Sequence, residues 1–149
     1  MYVLRLAATR FAAFCEAAYG VVEAVMHGLE PLARRVGYDR LERPMAAVES
    51  VTKGLIFDCR MCGQCILSDT GMTCPMNCPK KMRNGPCGGV RQDGGCELAP
   101  TMRCVWMEAW TGSRRMRNKA GIAKPQPPLD NRRWGRSAWI GHLRERRGE

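Results

Sequence analysis

Apolar residues recur at helical spacing through the first third of the chain. Leu4, Phe11, Phe14, Ala18, Val21, Val25, Leu29 and Leu32 stand mostly three or four residues apart, which places them on one face of a helix. Alanines between positions 7 and 18 favour that helix, and Gly20 weakens it locally. Pro31 is placed to kink it or to begin a new turn. Gly37 is a stop, with Arg34 and Arg35 well placed near the negative end of the helix dipole. A second stripe, Met45, Val48, Val51, Leu55 and Ile56, predicts another helix from about Pro44 to Phe57. One amphipathic helix cannot bury its stripe by itself. Internal packing, on the second helix or on the cysteine-rich segment after it, is the expectation; docking on another protein is the alternative. Cys15, alone in this region, reads as a buried core thiol.

Beyond Phe57 the periodicity stops and the composition changes. Eight of the nine cysteines lie between Cys59 and Cys104, together with Gly63, Gly71, Gly85, Gly88, Gly89, Gly94 and Gly95. That density describes a structure built from loops, whose backbone can approach a bound group closely. Met61, Met72, Met76, Met82, Met102 and Met107 suit a polarisable apolar shell. Thr101 is placed to cap a short helix carrying Cys104, Trp106 and Trp110. The third part, beyond residue 112, holds 11 of the 24 basic residues and only three of the 14 acidic ones. It contains a Pro-rich joint at 124–128, then Trp134 and Trp139 among arginines. A nucleic-acid arm, an arm lying on an acidic partner and a solvated tail are all open readings. Two tryptophans favour docking, so nucleic acid is not the expected partner.

The chain thus divides into an amphipathic helical region (1–57), a cysteine-rich Fe–S or metal module (58–112) and a basic Pro- and Trp-containing tail (113–149). The expected fold is mainly α with a loop-rich, cysteine-ligated module, little regular β and an extended basic C-terminal tail. Charges from Arg5 to Arg35 exclude a membrane span in the longest apolar stretch. Arg10 and Glu16 interrupt the run that a secretory signal needs, so a cytoplasmic location is expected. A mitochondrial presequence is the alternative, because the first 15 residues hold two arginines and no acid. Without export, disulfides lose their usual compartment and the cysteines read as ligands.

The candidate ligands are Cys59, Cys62, Cys65, Cys74, Cys78, Cys87, Cys96 and Cys104. Cys59-x2-Cys62-x2-Cys65 puts three thiols on one tight loop, which suits a cubane whose irons each take one thiolate. Zinc more often receives paired knuckles from separate segments. Both Cys74-Pro75 and Cys78-Pro79 echo the Cys-Pro ending of ferredoxin ligand runs. The expected grouping is Cys59, Cys62, Cys65 and Cys78 for one site, with Cys74, Cys87, Cys96 and Cys104 for the other; crossed pairing is open. Two [4Fe–4S] clusters are expected, with one [4Fe–4S] cluster plus one zinc ion as the alternative. Arg60, Lys80, Lys81, Arg83, Arg91 and Arg103 are placed to offset the negative charge of such clusters or to be solvated. No catalytic residues are assigned.

The string CxxCGxC…TGMTCPMNCPKKMRNGPCGGV…GGCE…CVWMEAW, over about residues 39–112, resembles the C-terminal-type domain associated with methylenetetrahydrofolate reductase. More narrowly, it looks like the cysteine-rich MetV-type small subunit that accompanies a MetF-type reductase. All eight module cysteines fall on the pattern. The resemblance implies a separate (β/α)8 barrel partner that carries the flavin and binds the folate, with this chain relaying electrons through iron–sulfur, and a further electron-donor protein behind it. A barrel of roughly 250 residues cannot fit here. The chain is therefore expected not to be catalytic alone. The alternative is a structural zinc-binding assembly subunit of the same complex, without a redox role.

Overall fold

The computed structural model of the protein describes residues 2–148. Four helices open the chain: α1 (Tyr2–Arg10), α2 (Ala12–Gly28), α3 (Glu30–Val36) and α4 (Tyr38–Phe57). Pro31 stands in the first turn of α3, where its missing N–H costs nothing. Gly37 ends α3 with φ 95°. The second predicted helix begins six residues earlier than expected, at Tyr38, and carries Pro44 inside it. Residues 58–104 then form the cysteine-rich loops, with one 3₁₀ turn at Pro75–Asn77. Helix α5 (Val105–Ser113) comes next, then 3₁₀ turns at Gly121–Ala123 and Asn131–Arg133, and finally α6 (Ala138–Glu145). The fold is mainly helical. Among the described residues the β structure is two isolated bridges, Val90 with Cys96 and Gly95 with Arg103. Among the same residues, no helix is long and apolar enough to cross a membrane.

The core lies where α1, α2 and the end of α4 meet the loops: Ala8, Ala12, Phe57, Cys62, Leu67, Met72, Cys74, Met76 and Met116. Cys15 packs against this cluster from α2, and burial raises its pKa. Small alanines on α1 and α2 let the loops come close. The Thr9 and Thr73 hydroxyls, 3.0 Å apart and buried, tie α1 to the loop. Gly71, with φ 63°, lies so near α5 that a Cβ would collide with the Ala109 carbonyl.

Both apolar stripes behave differently from the expectation of internal packing. Leu4, Phe11, Phe14, Val21, Val25, Leu29 and Leu32 are exposed, as are Val48, Val51, Leu55 and Ile56. The faces turned inward are smaller and more polar: Ala12, Cys15 and Tyr19 on α2, and Glu49, Lys53, Gly54 and Phe57 on α4. The reason is what those faces meet. They cover loops that bring their own large apolar side chains, Leu67, Met72 and Met76, against which small residues such as Ala8 and Ala12 pack.

The tail also departs from the extended arm. Arg117 and Asn118 amides donate to the Glu16 carboxylate (2.7 and 3.0 Å), fixing the segment to α2. The chain then ends in a helix. Ser137 caps α6 by accepting from the Ile140 amide (3.2 Å), and its own amide donates to Glu42 (2.6 Å). Ile140 and Leu143 are buried, and Arg144 meets Asp39 at 2.8 Å. The basic residues are therefore spent in part on the acids of α4.

Candidate metal centre

The first thiol group grows out of the end of α4. Phe57 anchors that end, and Asp58 and Met61 adopt left-handed backbone (φ 53° and 50°), as does Gly63 (φ 71°). These reversals coil the chain within six residues, so that Cys59, Cys62 and Cys65 line one cavity. The fourth cysteine lining it is Cys74, placed just before the Pro75–Asn77 turn. This corrects the expected grouping, in which Cys78 joined the triplet. Pro75 begins the 3₁₀ turn that leaves Cys74 on the core side, while Cys78, at its far end, is not part of the cavity wall. Leu67, Met61 and Met76 supply apolar lining.

Burial sets the electrostatics. It pushes the Cys74 thiol up to about 12, with the neighbouring Cys59 and Cys65 adding to the rise. It lifts Cys59 to about 11, against a lowering hydrogen bond from the Met61 amide (3.4 Å). These thiols hold their protons in the metal-free chain, and binding a metal would release them.

The second group occupies the outer loops. Cys96 and Cys104 are set by paired backbone bonds: the Cys96 amide donates to Met102 (2.9 Å) and the Cys104 amide to Gly94 (2.9 Å). Cys104 itself, not Thr101, is the residue that precedes α5, and it makes no side-chain cap. Cys87 lies 3.9 Å from the Glu97 carboxylate. Lys80 pairs with Glu97 and so ties the Cys78–Lys81 turn to the same hairpin. Cys78, Cys87, Cys96 and Cys104 are all half-exposed. Among the described residues no group of three or more His, Cys, Asp or Glu side chains is placed to hold a metal ion. The donor set of the first cavity, four thiols in a largely apolar wall, would suit a cubane, whose irons each take a separate thiolate, or a zinc ion held by four thiolates.

Of the six bases expected around the thiols, Arg83 alone lines the first cavity, and it is spent on the Gln64 and Pro127 carbonyls (3.1 and 3.0 Å). Arg60 pairs with Asp58, Arg91 with Asp93 and Arg103 with Glu108. Sequence reasoning missed the charged group that matters more. Glu49 lines the cavity, and its carboxylate meets the Lys53 ammonium at 2.5 Å with both side chains buried. Lys53 donates to the Tyr19 hydroxyl (3.1 Å), which donates to the Cys65 sulfur (3.4 Å). Burial works against the Lys53 charge, but Cys65 and Glu49 outweigh it and raise its pKa. The signal in the sequence was the i,i+4 spacing of Glu49 and Lys53, which by itself reads as a surface pair.

The tail closes this cavity. Ala138 and Arg136 form part of its wall. The Gly135 amide donates to the Met61 carbonyl (2.7 Å), and the Asp130 amide and carbonyl bracket the Gln64 side chain (3.2 and 3.1 Å). At Gly63 a Cβ would collide with the Arg133 carbonyl, so glycine is required there for contact as well as for its positive φ.

No curated protein and no solved structure matches the chain. A family model described as "Methylene-tetrahydrofolate reductase C terminal" matches residues 38–132.

Proposed function

The chain belongs to the methylene-tetrahydrofolate reductase C-terminal family, and from that premise we propose that it is an iron–sulfur accessory subunit serving a separate flavin-bearing barrel reductase. The observation that carries this reading is the cavity walled by Cys59, Cys62, Cys65 and Cys74. Bound there, a [4Fe–4S] cluster supplies one-electron transfer, to or from the partner's flavin, in the interconversion of 5,10-methylene- and 5-methyl-tetrahydrofolate. Cys78, Cys87, Cys96 and Cys104 are the donor set for a second centre.

The chain's own residues have three tasks in this reading. Four thiolates hold the first cluster. Leu67, Met61, Met76 and the tail residues around Ala138 keep water from it, which limits the solvation of its charge. The uncovered apolar stripes of α2 and α4 provide a surface on which the barrel subunit docks, since exposed apolar patches of this kind mark interaction sites. This is the docking alternative for the helical region rather than the internal one.

Anaerobic purification of the full chain, with iron and acid-labile sulfide measured, tests the proposal. Iron and sulfide in equal amounts, with broad visible absorption that bleaches on reduction, are expected. Zinc without sulfide overturns the redox role and leaves the structural assembly subunit in its place.

A further inference from the structure

The inward face of α4 carries a buried ammonium. Lys53 is 2% exposed, and an isolated charge at that depth is costly. Its surroundings are arranged to keep it. Glu49 meets it at 2.5 Å. Ser137, at the start of α6, bonds the other Glu49 oxygen at 2.8 Å. The Trp139 ring lies 4.4 Å from the Lys53 nitrogen and the Tyr19 ring 5.1 Å from it. Helices α2, α4 and α6 thus all contribute to holding one positive charge. A buried ion pair of this kind is seldom better for stability than well-packed apolar residues. Its direction is informative: Lys53 donates to the Tyr19 hydroxyl (3.1 Å) and Tyr19 donates to the Cys65 sulfur (3.4 Å).

We propose that Tyr19 and Lys53 are positioning residues that raise the reduction potential of the first four-thiol centre, acting through the Cys65 sulfur. The inference rests on the reading of that centre as an iron–sulfur site. Reduction adds negative charge, which spreads onto the thiolate sulfurs. A hydrogen bond donated to one of those sulfurs favours the reduced state, as does a nearby positive charge. The Lys53 ammonium polarises the Tyr19 hydroxyl, which strengthens its bond to sulfur. By contrast, the hydrogen bond to the Cys59 sulfur comes from the Met61 backbone amide, which no side-chain substitution removes.

The test is a redox titration of the anaerobically purified full chain, monitored by electron paramagnetic resonance, for the native protein and for Tyr19→Phe and Lys53→Gln. The first centre's signal is identified as the one that Cys74→Ser alters. Tyr19→Phe removes one oxygen and keeps the ring, so it retains the native iron content. It is expected to lower the one-electron reduction equilibrium about tenfold, a shift of about 59 mV to more negative potential. Lys53→Gln is expected to shift it the same way. Because Lys53→Gln leaves Glu49 buried without its cation, Tyr19→Phe is the deciding variant. An unchanged or more positive potential in Tyr19→Phe at full iron content overturns this inference and leaves the electron-transfer reading standing. A native chain that carries no iron and no sulfide overturns that reading, and the inference with it.

Discussion

The two thiol groups differ in depth within one short module: the first has two buried members, Cys62 and Cys74, beside the half-exposed Cys59 and Cys65, and the second has none. Cys62 and Cys74 of the first are 8% exposed, enclosed by α1, α2 and α4 and closed over by the tail. Cys78, Cys87, Cys96 and Cys104 of the second are half-exposed, among turns held by backbone bonds and by surface ion pairs such as Lys80 with Glu97. Cys62 and Cys74 of the first group are part of the hydrophobic core and Cys65 packs against it, while the second group lies outside it. The contrast shows how a chain this small can support a loop-built site: the helices form a shell around the first thiol group more than a core of their own. It also separates the factors that act on each site. Packing and low polarity control the first; solvent and backbone geometry control the second.

The largest test of this contrast is mechanical. Ile140 is fully buried on α6, the element that closes the first cavity. Ile140→Ala is expected to cost about 2–5 kcal/mol, from lost transfer energy plus the cavity left behind. Chemical denaturation of the chain measures it. Lys80→Ala breaks the ion pair that ties the second group together, yet both partners are solvated, so stability should not change measurably. A cost for Lys80→Ala comparable to that for Ile140→Ala would break the contrast.

Burial also sets up a chemical test. In the metal-free chain Cys59 and Cys74 keep their protons until about pH 11 and 12, against an ordinary value of 9.0. At pH 8 iodoacetamide should therefore modify the half-exposed thiols of the second group well before Cys74, as read by peptide mass spectrometry. The sign for stability is fixed by the same shifts. A raised thiol pKa favours the folded chain fully below pH 9, and that contribution is lost as the pH rises through 11 and 12. Denaturation midpoints of the metal-free chain should fall across that window. Cys74 modified as fast as Cys87 would show that the cavity is open.

The helical and loop-built parts of the fold were legible because they leave local signatures: period and alanine content for α1 to α4, and glycine and cysteine density for the loops. The direction of the helices was not. A stripe such as Phe14, Val21 and Val25 states which residues share a face, not what that face meets, and here the interior is filled by Leu67, Met72 and Met76 of the loops while the stripe is exposed. Helix α6 was hidden by its charge. Arg144 and Arg133 look solvated in sequence, but their carboxylate partners include Asp39, 105 positions away, as well as Glu145 nearby. The sequence showed eight clustered thiols but not which of them share a cavity. Cys74 and Cys78 have the same Cys-Pro context, and only the turn between them decides which one faces the triplet. Nothing in the spacing connected Tyr19 to Cys65, since that contact requires α2 to lie across the loop.

The smallest expected effect on the isolated chain bears on the outward face. Val51 is 61% exposed and Val21 is 64% exposed, one on each of the two long helices. Surface substitutions away from caps, charges and cavities usually change stability by less than about 0.5 kcal/mol. Val21→Ser with Val51→Ser should therefore leave the denaturation midpoint of the chain and its iron content almost unchanged. If the stripes are where the barrel subunit sits, the same pair should weaken co-purification with that subunit, because apolar area lost from an interface is lost from its affinity. The inner face gives the control: Ala12→Ser, at a fully buried position, should cost stability before it costs association. A double variant that binds the barrel subunit as well as the native chain does would remove the stripes from the interface. A double variant that loses fold stability would instead show that the outward face contributes to the core after all.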